Sequence, residues 1–215
     1  MTVYIEKPAI NLREELASLR NQGGYQEQQF YFDSLVTNGT FDADTDWTKG
    51  TGWTISGGVA SSDGSQTATS DLSQILGISV SVGQRFAVTY TVSAYSAGTV
   101  RSVFGNDSGS TVTANGTYTD YYTVTTTSNN FKIRASLDFI GSIDNVSVFE
   151  VDANDDVIHT MPKGWKPKDV FEDGLLQREG AAHDYEVVYD GFDYYVKPTV
   201  APSATTQTCV IGVKA

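Results

Sequence analysis

The chain has 215 residues, a formal net charge of −12, and 40% hydrophobic but only 19% charged residues. A nucleic-acid-binding protein needs a basic surface, so this charge argues against a nucleic-acid partner, and it also argues against attraction to anionic membranes. No apolar run approaches the ~20 residues of a membrane-spanning helix, and we expect no membrane insertion. The first twenty residues lack the apolar stretch of a signal peptide. The single cysteine, Cys209, excludes an intrachain disulfide.

Residues 1–24 predict an N-terminal anchor that contains one short helix. Its apolar residues repeat at helical spacing, and a helix of about ten residues is marginal alone, so this stripe needs a surface to cover. That surface is either the rest of the chain or another chain, and we expect another chain. The residues predicted to anchor or oligomerise the protein are Tyr4, Ile5, Leu12, Leu16 and Leu19.

The segment 34–151 differs in composition from both of its flanks. Positions 34–149 hold 37 Ser or Thr residues and none of the eight Glu or five Pro residues of the chain. Sequence rich in Thr and Gly, without Pro, is typical of strands and turns. The fold class predicted is therefore mainly β, with a jelly-roll β-sandwich, a smaller β module and the short N-terminal helix.

Alternation of apolar and polar residues predicts which side chains of the strands face inward. Phe86, Val88, Tyr90 and Val92 share one face of a strand over residues 85–95. We assign Asp71–Ile78 to a strand rather than to a helical turn. The same alternation turns basic and aromatic side chains outward, which would suit an anionic or a neutral glycan, although exposed tyrosines are also common on any sandwich. The predicted glycan-binding residues are Tyr95, Arg101, Tyr121, Lys132 and Arg134.

Both ends of the segment 34–151 resemble carbohydrate-binding modules of the β-jelly-roll type. The opening reads LVTNGTFD (35–42) and GWTISGGVAS (52–61), and the closing strand reads GSIDNVSVFEV (141–151). The resemblance implies a structural Ca²⁺ held by Asp42 and Asp144, and Asp44 and Asp46 could add ligands, because Ca²⁺ prefers carboxylate oxygens. A solvated turn over residues 42–46 is the alternative. Trp47 and Trp53 are expected in the core.

The flanks resemble bacteriophage fibre and appendage proteins. The resemblance is carried by YIEKPAINLREEL near the N-terminus and by GWKPKDVFEDGLLQREGAAHDYEV through VAPSATTQTCVIGV. It implies that residues 25–33 and 152–215 form one flank module, with QQFYFD (28–33) beside residues 157–161. The jelly roll would then be inserted into this module; a linear arrangement of two domains is the alternative.

No constellation of catalytic residues is evident in the sequence. The two histidines lack metal-ligand spacing, there is no P-loop or dinucleotide fingerprint, and the acidic run of Asp152, Asp155 and Asp156 fits a solvated hinge. We therefore expect a non-enzymatic protein of the virion surface of a tailed phage, made in the host cytoplasm, as a head fibre, capsid decoration or short tail-fibre-like appendage. The expected partners are capsid or tail proteins, two further copies in a homotrimer, and a host or environmental glycan. The alternative is a free carbohydrate-binding module or an enzyme accessory module, although secreted modules usually carry a signal peptide.

Overall fold

The computed structural model describes residues 27–180, 184–203 and 205–214. Within these ranges the chain forms β-strands and no α-helix, so the mainly β class is confirmed. No helix in the described part is long and apolar enough to cross a membrane. The predicted N-terminal helix lies outside the described residues.

Ten strands, β2 to β11, lie between residues 48 and 150 and are called the sandwich. Their bounds are β2 Thr48–Lys49, β3 Trp53–Ser56, β4 Val59–Asp63, β5 Ser70–Ile75, β6 Arg85–Ala97, β7 Val100–Phe104, β8 Asp107–Ser108, β9 Gly116–Thr123, β10 Asn130–Ala135 and β11 Ile140–Glu150. They form two five-stranded sheets, in the orders β2-β5-β10-β7-β8 and β3-β4-β11-β6-β9. Every pair of neighbouring strands in these sheets is antiparallel.

The two sheets pack face to face on one hydrophobic core. Phe86 of β6 stacks on Phe104 of β7, with ring centroids 4.6 Å apart, and so joins one sheet to the other. Phe86, Val88, Tyr90 and Val92 are each at most 1% exposed, which confirms the predicted inward face of β6. Such alternation buries one face of each strand. Each large apolar side chain that is buried in this way stabilises the fold by roughly 1.5–3 kcal/mol.

Tryptophan and strand assignments from the sequence also agree with the structure. Trp47 and Trp53 are buried, with 7% and 5% exposure. In the segment Asp71–Ile78, residues 71–75 belong to strand β5, and none of the segment is helical. The apolar side chains of β10 point into the core while Lys132 and Arg134 are on its other face.

The remaining strands, β1 and β12 to β17, are called the flank module. Their bounds are β1 Glu27–Tyr31, β12 His159–Thr160, β13 Trp165–Glu172, β14 Leu175–Leu176, β15 Tyr185–Tyr189, β16 Tyr194–Pro198 and β17 Thr208–Lys214. They form a four-stranded sheet, β1-β17-β13-β14, and a three-stranded sheet, β12-β16-β15. The module has its own small core of Met161, Val170, Tyr185, Val196 and Val210.

Strand β1, which precedes the sandwich in the sequence, pairs with the last strand of the described chain. Its residues run antiparallel to β17, with Gln28 opposite Gly212 and Tyr31 opposite Cys209. The chain then enters the sandwich where the Leu35 amide donates to the Val148 carbonyl at 2.9 Å. It returns through β11, whose last residue is Glu150. The sandwich thus lies between two segments of one flank sheet, and both chain crossings are close together.

Candidate ligand-binding face

Basic side chains gather on the outer surface of the sheet β2-β5-β10-β7-β8, which we call the basic face. Alternate residues of a strand point to opposite sides of the sheet, so Arg134 and Lys132 of β10 face outward while Ile133 is buried. Arg134 lies opposite Asp71 of β5 on one side and opposite Arg101 of β7 on the other. The register therefore brings three predicted residues, Arg101, Lys132 and Arg134, onto two neighbouring strands.

Arg134 is held in a fixed position by Asp71. Its Nε and Nη2 atoms donate to the two carboxylate oxygens of Asp71 at 2.7 and 2.8 Å, which is a bidentate pair. These hydrogen bonds raise the pKa of the Arg134 guanidinium above its already high ordinary value. Asp71 is consequently occupied by Arg134 and does not neutralise the neighbouring cations.

Arg101 and Lys132 have no ionic partner among the described residues. Each is half-buried, and no acidic side chain in those ranges approaches either of them within salt-bridge distance. Val103 lies opposite Lys132 on this outer face, yet it is only 2% exposed. This position therefore does not offer an exposed apolar surface beside Lys132.

A cavity of about 330 Å³ adjoins the basic face at Asp71 and Ser73. We call it the hydroxyl cavity, because Thr and Ser residues make most of its wall. Its lining is Thr48, Lys49, Gly50, Thr51, Gln66, Thr67, Ala68, Thr69, Ser70, Asp71 and Ser73. Ser70 donates to the Thr51 carbonyl at 2.7 Å, and Gln66 donates to the Ser136 carbonyl at 2.9 Å, so two of the polar groups are fixed by the fold.

Gly50 allows the loop after β2 to approach β5 closely at this cavity. A Cβ atom at position 50 would lie 2.4 Å from the Ser70 hydroxyl and 2.9 Å from the Asp71 carbonyl oxygen. Any other residue would push the loop away from β5. Gly50 therefore determines how closely the loop approaches β5, and with it the shape of the cavity wall.

The described residues that follow the sandwich pack on the other sheet rather than on the basic face. Ala87 on the outer side of β6 is buried in a small cluster with Phe149, Val151 and Val157. Arg85, next to Ala87, donates to the Asp152 carbonyl at 3.1 Å and forms an ion pair with Asp155. Since the two sheets present opposite outer faces, the basic face lies on the side away from these contacts.

The two predicted tyrosines are not on the basic face. Tyr121 is 52% exposed on β9, which pairs with β6 in the other sheet. Tyr95, near the end of β6, is half-buried, and its hydroxyl donates to the Gly98 carbonyl at 3.0 Å. Tyr121 is exposed as predicted, but alternation does not tell to which sheet a strand belongs. The structure thus brings three of the five predicted glycan-binding residues together, and a binding role for any of the five stays a prediction.

The four aspartates predicted to bind Ca²⁺ have local hydrogen-bond partners. Asp42 accepts from the Thr40 hydroxyl at 2.7 Å, and Asp46 accepts from the Thr45 hydroxyl at 2.6 Å. Asp44 forms an ion pair with Lys49, and Asp144 accepts from the Asn145 amide at 2.6 Å. No three acidic, histidine or cysteine side chains of the described residues converge on one point. The Ca²⁺ site stays a prediction.

The residues predicted for anchoring, Tyr4, Ile5, Leu12, Leu16 and Leu19, lie outside the described part of the chain.

A buried histidine, which the sequence analysis did not single out, lies where the sandwich meets the flank module. His159 of β12 is 4% exposed, stacks on Phe32 with ring centroids 5.1 Å apart, and contacts Phe149 edge-on at 6.3 Å. Its Nε2 atom has no hydrogen-bond partner in the described ranges. Burial lowers the pKa of His159 to about 4, because the apolar surroundings disfavour the charged form.

His159 lines a cavity of about 250 Å³ at this junction, called the junction cavity. Glu150 also lines it, and burial raises the pKa of that carboxyl group. The Gln84 amide and the Thr160 hydroxyl donate to Glu150 at 3.3 Å each and partly oppose this shift. Asp33 and Tyr31 complete the titratable lining.

Comparisons with known proteins add one structural likeness. No protein-family model matches the chain, and no curated protein matches it. Among solved structures, the chain is similar to a point mutant of a carbohydrate-binding module of family 29, with a TM-score of 0.40 and 13% identity. The alignment covers 57% of this chain and 92% of that one.

Proposed function

We propose that this protein is a non-enzymatic attachment protein whose sandwich binds a glycan through the basic face. The observation that carries the proposal is the pair of unpartnered cations, Arg101 and Lys132, beside the hydroxyl cavity on the sheet that the flank module leaves free. Sugars are recognised by charged and polar side chains that bond to ring hydroxyls, and these groups are concentrated here.

The chemistry of the face supports binding rather than catalysis. Asp71 is the carboxylate between the basic face and the cavity, and both of its oxygens accept hydrogen bonds from Arg134. Both oxygens are thus engaged by the Arg134 guanidinium, and the carboxylate serves to position that side chain. The same pair keeps both side chains in place, which favours recognition of a rigid ligand.

For the flank module we propose attachment to the surface of a tailed bacteriophage particle, as a head fibre, decoration or tail-fibre-like appendage. Support comes from the sequence resemblance of the flanks and from the pairing of β1 with β17, which ties both ends of the sandwich to one sheet. Homotrimer formation and contact with capsid or tail proteins belong to the same proposal. We expect gold-labelled antibodies against this chain to mark intact particles. Recovery only as a free protein would favour a free carbohydrate-binding module or an enzyme accessory module.

Steric blocking of the basic face tests the glycan proposal. Ser73 is half-buried on the outer side of β5, opposite Lys132, so Ser73→Leu places a bulky apolar side chain between the cations and the cavity. Thr54→Leu is the matched control, since Thr54 is exposed on β3 in the other sheet. On a glycan array, we expect Ser73→Leu to weaken the best signal at least tenfold and Thr54→Leu to leave it unchanged. Equal effects of the two variants, or no glycan signal for the unmodified chain, would contradict the proposal.

A further inference from the structure

We infer that the ligand of the basic face is an acidic glycan, one whose sugars carry carboxylate or sulfate groups. This inference rests on the proposed function and specifies its ligand. The sequence alone left anionic and neutral glycans equally open. The pairing of charges in the structure favours the anionic glycan over the neutral one.

The sandwich segment 34–151 contains five basic residues, and the structure gives three of them an acidic partner. Those five are Lys49, Arg85, Arg101, Lys132 and Arg134. Lys49 pairs with Asp44, Arg85 with Asp155 and Arg134 with Asp71. The two without an acidic partner in the described ranges, Arg101 and Lys132, both lie on the basic face. Within the described sandwich, the two cations without an acidic partner thus lie together on one face, which makes the local potential there more positive than on the rest of the sandwich.

The register places these cations where they repel one another. Arg101 is directly opposite Arg134 across the β7–β10 pair, and like charges in this position destabilise a sheet. Lys132 is two residues before Arg134 on the same face of β10, about 7 Å away along the strand. One carboxylate, that of Asp71, accompanies the three cations. An anionic group bound between Arg101 and Lys132 relieves this repulsion, whereas a neutral sugar does not.

The shape of the face fits a charged group followed by a neutral sugar ring. A guanidinium group donates two parallel hydrogen bonds to a carboxylate or sulfate, so Arg101 supplies directional recognition and Lys132 adds a second charge. Neighbouring strands are about 4.8 Å apart, so β7 and β5 are separated by about 10 Å. The next sugar of the glycan then reaches Ser73 and the hydroxyl cavity, whose wall includes Thr67 and Thr69.

Pairs of glycans that differ only in charge test the inference. Isothermal titration calorimetry on the full chain would compare polygalacturonate with carboxyl-reduced polygalacturonate, and chondroitin sulfate with desulfated, carboxyl-reduced chondroitin. We expect at least one acidic form to bind at least tenfold more tightly than its neutral partner. Affinity for that form should fall as salt rises from 50 to 500 mM, because screening weakens exposed charges.

Two double variants assign the effect to the basic face. Arg101→Gln with Lys132→Gln should weaken binding of the acidic form at least tenfold and remove most of the salt dependence. Lys163→Gln with Lys166→Gln changes the net charge equally at exposed positions of the flank segment and should have no effect. Matching thermal melts of the variants would exclude unfolding as the cause. If the Arg101→Gln and Lys132→Gln variant does not fold, the variant with Thr67→Val and Thr69→Val is measured instead. It should weaken binding of the acidic glycan and keep the salt dependence of that binding.

Each outcome of this experiment is decisive. Equal binding of acidic and neutral partners overturns the inference but leaves glycan binding intact, whereas absence of binding to every glycan overturns both. Binding of polyphosphate or single-stranded DNA as tightly as the best acidic glycan would reveal a general polyanion surface and also overturn the inference. The inference is also overturned if the control variant, Lys163→Gln with Lys166→Gln, loses as much affinity for the acidic glycan as the Arg101 and Lys132 variant.

Discussion

Acidification should destabilise the junction between the sandwich and the flank module through His159. Its pKa is about 4 in the folded chain against an ordinary value of 6.5, so the unfolded chain binds more protons between these two pH values. Stability is therefore complete above about pH 6.5 and falls as the pH drops towards 4. The whole difference corresponds to roughly 3 kcal/mol, most of which is lost between pH 7.5 and 4.5.

Glu150 acts in the opposite direction at the same cavity. Its pKa is raised by burial, so its contribution to stability is greatest when it is protonated and decreases as the pH rises through its folded pKa. The wild-type chain alone therefore shows the sum of two opposing effects. Comparison with His159→Phe, which keeps a ring against Phe32 but does not titrate, isolates the histidine.

Urea unfolding followed by tryptophan fluorescence at pH 7.5, 6.0, 5.0 and 4.5 is the assay. We expect the wild type to lose roughly 2–3 kcal/mol of stability relative to His159→Phe over this series, since only the wild type must keep a neutral imidazole buried. The imidazole proton resonance of His159, assigned by its absence in the variant, should not shift until the pH approaches 4. A free-energy difference that is independent of pH, or an imidazole that titrates near 6.5, would refute the reasoning.

Three further predictions concern backbone fit, metal binding and anchoring. Gly98 has a φ of 71°, and a Cβ there would lie 2.4 Å from the Phe139 amide nitrogen, whereas Gly57, at a φ of 63°, has nothing within 4 Å. Both alanine variants should lose about 1–2 kcal/mol to backbone strain, and Gly98→Ala should lose clearly more in urea unfolding; equal losses would contradict the contact. If Asp42 and Asp144 hold Ca²⁺, adding Ca²⁺ at a hundredfold excess over its Kd to EDTA-treated protein should stabilise the fold by about 2.7 kcal/mol in thermal melts. Asp144→Asn should abolish this stabilisation, and a melt of the unmodified chain that Ca²⁺ leaves unchanged would exclude the site. Leu16→Asp should abolish trimers in analytical ultracentrifugation while the circular dichroism of the β-sheets is retained, and unfolding of the monomer would show that the anchor assignment is wrong.

Which face of a strand is buried could be predicted from the sequence because that property is local. In β10, the order Phe131, Lys132, Ile133, Arg134 alternates strictly, and the structure buries the two apolar residues. An Asp-Gly pair such as Asp173-Gly174 is likewise a local signal for a two-residue hairpin turn, and both residues have the positive φ that such a turn requires.

The composition of the basic face depended on pairings that are distant in sequence. Arg101 reaches Arg134 because β7 pairs with β10, and Asp71 reaches it because β5 pairs with the other edge of the same strand. Tyr121 is excluded because β9 pairs with β6 in the other sheet. Alternation within a strand contains no information about these partners, so the sequence could predict outward residues but not their grouping.

The burial of His159 had a signal in the sequence that was not used. Val157, His159 and Met161 alternate with Ile158 and Thr160, and the three odd-numbered residues are all at most 5% exposed. The period-two pattern alone predicts an inward histidine. Alternation alone could not place Phe32 beside it, because Phe32 precedes the sandwich in the sequence; only the resemblance of the flanks, which implies that residues 28–33 lie beside residues 157–161, points to this contact.

The position of the sandwich between β1 and the other flank strands imposes an order on folding. While the sandwich is unfolded, pairing β1 with β17 must close a flexible loop that runs from residue 32 to residue 207. Once the sandwich has folded, the hydrogen bond from Leu35 to Val148 joins the entry and exit of the chain, and only the residues outside the sandwich remain in the flexible loop. The entropy cost of closing the loop then falls by about 1 kcal/mol. The sandwich should therefore fold first, and the flank sheet should assemble on it afterwards.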